Sequence, residues 1–212
     1  MDQWRAGGKS LVKVKLHIEG GGDNKVQHQR FRRAWTRFFQ KAGLKKMPQT
    51  VAGGGRKRTF DRFRTAVRNE PDMCHILLVD SEDVVAPGTS PWQHLKQRQD
   101  DNFDKPPGVA EDDASLMICT METWFVADRR AISAFFGQGF NDGALPKWPN
   151  LEQVRKRDIL NALVSATKAC GPRAYAKGDL SVRVLAALDP NQVEQHCPAA
   201  RRLLDRLRDL LS

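Results

Sequence analysis

Ile76-Leu77-Leu78-Val79 is an unbroken apolar run that passes directly into Asp80-Ser81-Glu82-Asp83. A strand with apolar side chains at successive positions has to be covered on both faces. A second segment, residues 11–23, adds to this constraint. Val12, Val14, Leu16 and Ile18 alternate with Lys13, Lys15, His17 and Glu19, which is the period of a β-strand. It ends in Glu19-Gly20-Gly21-Gly22-Asp23, a turn able to begin a helix. Two strands that end in carboxylates, with helix-like sequence between them, predict an open α/β architecture with a mostly parallel sheet flanked by helices. Ligands of such sheets sit beyond the carboxyl ends of the strands. Carboxylates crowded there repel one another unless a cation lies between them, and Mg²⁺ is the usual one for oxygen ligands.

The remaining segments are arranged around these two. Residues 1–10 read as a frayed leader. Asp23 or Asn24 N-caps a helix over 25–43, with Phe31, Trp35, Phe38 and Ala42 facing the sheet and Gly43 ending it. Arg30, Arg33, Arg37 and Lys41 form a basic stripe on another face, with few acidic partners on the same helix. A second strand is expected over 47–52. Gly53-Gly54-Gly55-Arg56-Lys57-Arg58 then leads into a helix over 59–69, with Phe60, Phe63 and Val67 inward and Arg58, Arg62, Arg64 and Arg68 outward. This glycine loop is either a phosphate cradle or a plain turn. It lacks the Gly-Lys-Ser/Thr ending of a nucleotide P-loop.

Residues 84–113, rich in proline, glycine and acids, read as a long loop anchored by Trp92. It is either a mobile lid over the site or an insertion without a role. A strand over 115–121 and a helix over 122–136 follow. Glu122 either points into the strand-end crevice or is an acid favoured by the helix dipole. Helices over 151–169, 179–188 and 191–211 complete the chain. The expected organisation is an α/β core over 11–136, with 84–113 inserted, and a helical C-terminal region over 150–212 packed on it.

Charge is segregated. Residues 1–70 carry 18 Lys/Arg against 5 Asp/Glu, residues 71–128 carry 3 against 12, and residues 129–212 carry 14 against 8. Either a polyanion is handled beside an acidic, metal-binding centre, or the excess of basic residues serves solubility. Met1-Asp2-Gln3-Trp4-Arg5 lacks the apolar segment of a signal peptide, and no apolar run is long enough to span a bilayer. Cys74, Cys119, Cys170 and Cys197 form no Cys-x-x-Cys pair, which fits reduced thiols in a cytosol.

Glu19, Asp23, Asp80, Glu82 and Asp83 are the leading site candidates, because metal-dependent phosphodiester chemistry needs hard oxygen ligands near cations. Singly, each has an ordinary explanation as a cap, a turn residue or an ion-pair partner. Together they resemble the Toprim (topoisomerase–primase) domain, with a Glu after its first strand and an Asp-x-Asp after a later one. Glu19-Gly-Gly-Gly-Asp23 is similar to the first motif of the Toprim nucleases of the overcoming-lysogenization-defect group. Asp80-Ser81-Glu82 fits the second motif, with Glu in place of its final Asp. Glu122 and Lys177 match a later acid and a later lysine by order. Most of 11–200 also resembles a family of small bacterial Toprim-like proteins. The resemblance rests on the Glu-Gly-x-x-Asp start, Val79-Asp80-Ser81-Glu82-Asp83, Met121-Glu122-x-Trp124-Phe125-x-Ala127-Asp128 and Lys177-Gly178. Members are often encoded beside ATPases of phage-defence loci.

The resemblance implies a Mg²⁺- or Mn²⁺-dependent nuclease, the effector subunit of an ATPase-linked phage-defence system. Glu19, Asp23, Asp80, Glu82, Asp83 and Glu122 would supply metal ligands. Glu19 would serve as general acid or base, and Lys177, or an arginine from the 56–64 region, would offset developing charge. The basic residues Arg30, Arg33, Arg37, Lys41, Arg56, Lys57, Arg58 and Arg62 would hold DNA or RNA by its phosphates. The rival expectation is a non-catalytic module that binds nucleic acid or a partner protein. A lone tyrosine, Tyr175, and the absence of a zinc motif argue against a topoisomerase or a primase.

Overall fold

The computed structural model describes residues 13–212. Leu11 and Val12 of the first expected strand, and the expected leader, lie outside the described residues. Strands β1 (Lys13–Ile18), β2 (Gln49–Ala52), β3 (Met73–Asp80) and β4 (Ala114–Met117) form one sheet in the order β2-β1-β3-β4. Every neighbouring pair is parallel, as the sequence predicts for an α/β chain. The apolar run of β3 is the reason it sits inside. Ile76 and Leu78 belong to the larger apolar cluster, while Leu77 and Val79 belong to a smaller one on the opposite face.

Helix α1 (Lys25–Lys41) begins at Asn24, whose side chain accepts from the Gln27 amide while Gln27 reciprocates, so Asn24 rather than Asp23 is the cap. Phe31, Trp35, Phe38 and Ala42 are buried as their spacing predicts, and Gly43 follows the helix with φ +80°. Trp35 and Phe38 pack on Trp124, with Phe38 stacked at 5.6 Å. Helix α2 (Arg56–Asn69) covers the other face through Phe60 and Phe63. It starts three residues earlier than expected, which puts Arg56 in its first turn.

Three expectations are corrected. The segment 84–113 contains helix α3 (Pro91–Gln97), nucleated by a Ser90/Gln93 capping box with proline in the first turn. Trp92, Leu95 and Phe103 bury themselves in the smaller cluster, and Phe103 stacks on Phe60 at 4.0 Å. The expected helix over 122–136 is two, α4 (Glu122–Ala127) and α5 (Arg129–Phe136). Asp128 breaks it by accepting from the amides of Ala131 and Asp189 at 3.0 and 2.7 Å. After α6 (Lys156–Thr167) and α7 (Asp179–Ala187), the last expected helix divides at Cys197-Pro198 into α8 (Pro190–His196) and α9 (Pro198–Leu211).

The C-terminal helices share the larger cluster with the sheet, since Val184, Leu203 and Leu207 join Leu16, Ile18 and Ile76 in it. Among the described residues all four cysteines are free, and no helix is long and apolar enough to cross a membrane.

Candidate functional site

At the carboxyl ends of β1 and β3 the chain turns sharply. Gly20, Gly21 and Gly22 all have positive φ, and a Cβ on Gly21 would meet the Ala52 side chain at 2.5 Å. Only glycine permits that approach. Gly20 and Gly54 then exchange two backbone hydrogen bonds of 2.7 and 2.9 Å, and Gly53 donates to Ile18 at 2.8 Å. The Gly53 and Gly54 amides are therefore occupied in extending the sheet rather than left to cradle a phosphate.

The turn leaves Glu19 beside the end of β3. Its Oε2 accepts from the Asp80 amide at 3.3 Å and from Arg56 Nη1 at 3.2 Å. Asp80 is buried, with Oδ1 accepting from the Met121 amide at 2.9 Å and Oδ2 from the Thr120 hydroxyl at 3.3 Å. Glu122, fully buried, accepts from the hydroxyls of Thr120 and Tyr175 and, at 3.5 Å, from Ser181. Lys177 Nζ stands 3.9 Å from Asp80 Oδ2 and 3.8 Å from Glu122 Oε2. Glu19, Asp80, Glu122 and Lys177 thus line one cavity of about 280 Å³, walled by Gly20–Gly22 on one side and Lys177–Asp179 on the other.

The electrostatics follow from the crowding. Desolvation, with the Glu19 and Glu122 carboxylates beside it, pushes Asp80 up to about 7. Burial raises Glu19 as well, opposed by Arg56 and assisted by Glu82. Burial and the neighbouring Glu122 raise the Tyr175 phenol, which stays a hydrogen-bond donor.

The other predicted acids are elsewhere. Glu82 sits in the left-handed region at φ +67°, a costly conformation for a residue with a side chain. Its carboxylate bonds Lys156 Nζ at 2.5 Å, and that pair raises Lys156 against the opposing effect of burial. Asp83 is exposed and paired with Arg98. Asp23 is exposed and bonds Arg58 at 2.7 Å, which lowers its pKa.

The predicted basic surface also divides. Arg56 is not a surface cation. It grips Asp101 with two hydrogen bonds of 2.6 Å and donates to the Asp80 carbonyl and to Glu19. Arg62 bonds the Ala52 carbonyl at 2.9 Å, and Lys41 binds the last carbonyls of α7 at 2.8 to 3.0 Å. Arg30 pairs with Asp179. Among the described residues Arg33, Arg37 and Lys57 have no carboxylate partner.

Sequence reasoning missed Asp101, Lys156, Thr120 and Ser181, and gave Tyr175 no role in the site. It read 84–113 as either a mobile lid or an insertion without a role, whereas that segment braces the acidic turn. Besides Asp101 on Arg56 and Arg98 on Asp83, His94 Nε2 donates to the Ser81 carbonyl at 2.9 Å.

A family model matches residues 18–208, a span that holds the whole cavity. The chain belongs to the family described as Domain of unknown function (DUF4276). No curated protein and no solved structure matches the chain. The match covers β2, β3, β4 and the C-terminal helices, and begins at the last residue of β1, so the cavity lies within one family unit.

Among the described residues no three Asp, Glu, His or Cys side chains form a ready metal cage. The donors present nevertheless fit Mg²⁺, which is commonly held by one or two carboxylates together with waters and substrate phosphate oxygens. Glu19 and Asp80 are such a pair. The Lys177 ammonium, between two carboxylates, marks where positive charge is favoured.

Proposed function

We propose that this chain is a Mg²⁺- or Mn²⁺-dependent phosphodiesterase of the Toprim-like nuclease type, acting on DNA or RNA. The observation that carries the reading is the meeting of Glu19, Asp80 and Glu122 with Lys177 around one cavity at the carboxyl rim of a parallel sheet. Carboxylates this buried are costly unless a cation compensates them.

Glu19 and Asp80 would hold the metal, which when bound polarises a phosphoryl oxygen and lowers the pKa of a water. Glu122 is held by Tyr175, Thr120 and Ser181 and fixes the ammonium of Lys177. Lys177, half exposed, is free to turn toward a phosphate and offset its growing negative charge. Burial raises the Glu19 carboxyl above its ordinary value, in the direction a general acid or base needs. Arg56, clamped by Asp101, keeps Glu19 oriented toward β3. The free thiols agree with a cytosolic setting, and the resemblance to effectors encoded beside ATPases supports a role in phage defence with such a partner.

A second reading has its own observation. Arg56, Lys156 and Lys177 already balance much of the acidic charge, as a non-catalytic binding module would require. Incubation of single- and double-stranded DNA and RNA with Mg²⁺ or Mn²⁺ separates the two. Cleavage that Asp80→Ala abolishes supports the enzyme. Binding without turnover under either metal, alone or with a partner ATPase, supports the module.

A further inference from the structure

The cations that lack structural work converge on the cavity from two sides. On one side a groove of about 530 Å³ runs between α1 and α7, lined by Arg33 and Arg37 of α1 and Arg183 of α7. Arg183 lies over the Phe135 ring at 5.5 Å, which holds its guanidinium in place. Asp179 and Val182 line both this groove and the carboxylate cavity, so the two adjoin there. The Arg30–Asp179 pair at the junction is about half exposed on both sides, a weak contact that a competing anion can open.

On the other side, a hollow of about 560 Å³ is lined by Arg155, Lys156 and Arg157 at the start of α6, together with Glu82 and Asp83, which are paired with Lys156 and Arg98. Arg155 and Arg157 are roughly three-quarters exposed, and among the described residues Asp158 is their one carboxylate partner. Lys156 pairs with Glu82 at 2.5 Å, two residues beyond Asp80 at the end of β3, which places this hollow beside the same strand end.

We infer that a single-stranded nucleic acid lies across the molecule from the α1/α7 groove, over the carboxylate cavity, to the start of α6. Its phosphates would be held by Arg33, Arg37 and Arg183 on one side and by Arg155 and Arg157 on the other. This rests on the nuclease reading and specifies its substrate. Strand state follows from the recess. Asp80 is 7% exposed, at the wall of a cavity of about 280 Å³. A stiff duplex cannot lead a backbone phosphate into it, and a flexible single strand can. Arginine contacts to phosphate carry little sequence information, so binding is largely independent of sequence.

The test is binding of a fluorescent 20-nucleotide strand, DNA and RNA in turn, in EDTA, across a salt series. Five phosphate contacts predict a log–log salt slope of about −3.5. The triple variant Arg33→Glu/Arg37→Glu/Arg183→Glu should weaken binding at least tenfold and flatten the slope by about 2. The triple Arg64→Glu/Arg68→Glu/Lys96→Glu makes the same charge change on the opposite face of the sheet, where α2 and α3 pack, and should alter affinity less than threefold. Circular dichroism melts of both variants check folding. Equal losses from the two triples, or a duplex bound as tightly as the single strand, overturn the inference. Because EDTA prevents metal-dependent turnover, groove-dependent binding without cleavage on adding Mg²⁺ or Mn²⁺ would sink the nuclease reading and leave this surface standing. Cleavage of bis(p-nitrophenyl) phosphate without groove-dependent strand binding would sink the surface alone.

Discussion

Six carboxylates cluster near the strand ends in sequence, and the fold sorts them into two sets. Glu19, Asp80 and Glu122 face one cavity and are partly or fully buried. Asp23, Glu82 and Asp83 stand outside it, paired with Arg58, Lys156 and Arg98 respectively. The inner set shares the Lys177 cation, includes the raised carboxyls of Glu19 and Asp80, and is restrained by backbone amides and hydroxyls. Residue type is the same in both sets, so burial and the number of shared partners separate a reactive carboxylate from a surface ion pair.

The largest difference is expected in cleavage. Asp80→Ala should reduce metal-dependent cleavage by about a thousandfold or more, the usual size when a principal ligand or charge stabiliser is removed. Asp83→Ala should leave the rate within about twofold. Gel-based rates with Mg²⁺ or Mn²⁺ measure both, and comparable losses would erase the distinction between the sets.

Next in size is the brace behind the inner set. Arg56 and Asp101 form a bidentate pair with side-chain exposures of 14% and 2%. Asp101→Ala leaves a guanidinium buried without its partner and should cost about 3–5 kcal/mol of stability. Urea unfolding measures it. A loss below about 1 kcal/mol would mean that Glu19 and the Asp80 carbonyl hold Arg56 unaided.

How much of this was legible beforehand depends on range. The strands β1 and β3 were legible because alternation and a continuous apolar run are local signals, and the contact of Glu19 with Asp80 follows once both strands are parallel neighbours. Helix α3 was hidden by the prolines and glycines around it, although Ser90-Pro91 with Gln93 is a capping signature that a closer reading would have used. The breaks at Asp128 and Cys197-Pro198 had comparable cues, an N-capping aspartate inside an apolar run and a proline in a first turn. Asp101 and Lys156 had none. They reach the site through contacts 45 and 74 residues apart in sequence, where no periodicity reports them.

A smaller effect comes from pH. The folded Asp80 carboxyl, at about 7, lies above its ordinary value of 3.8, so the folded state takes up a proton more readily than the unfolded one. Its contribution to stability is therefore fully present below about pH 4, declines as pH rises toward 7, and is flat beyond. Glu19 acts in the same direction. Buried His17, lowered to about 3, adds an opposite slope, so the readout is the difference between the native chain and Asp80→Asn. That difference in unfolding free energy should fall by on the order of 2–4 kcal/mol between pH 4 and 8. At pH 8, Mg²⁺ should restore stability to the native chain and not to Asp80→Asn, as ligand linkage requires. A pH slope unchanged in Asp80→Asn would put the titrating group elsewhere.

The smallest effects belong to the outer set and mark the edge of the comparison. Asp83→Ala removes an exposed ion pair and should change stability by less than about 0.5 kcal/mol. Asp23→Ala should leave the melting temperature unmoved, because Asn24, not Asp23, caps α1. Glu82 is the intermediate case. It is outside the cavity, yet its Lys156 partner acts on Asp80 and its own charge acts on Glu19. Glu82→Gln should leave folding nearly unchanged and shift the pH midpoint of activity downward, since Glu19 loses a negative neighbour and Asp80 keeps a less neutralised Lys156. A pH–rate profile reads this directly. An unmoved midpoint would place Glu82 fully with Asp83, and a loss as large as that of Asp80→Ala would make it a fourth member of the inner set.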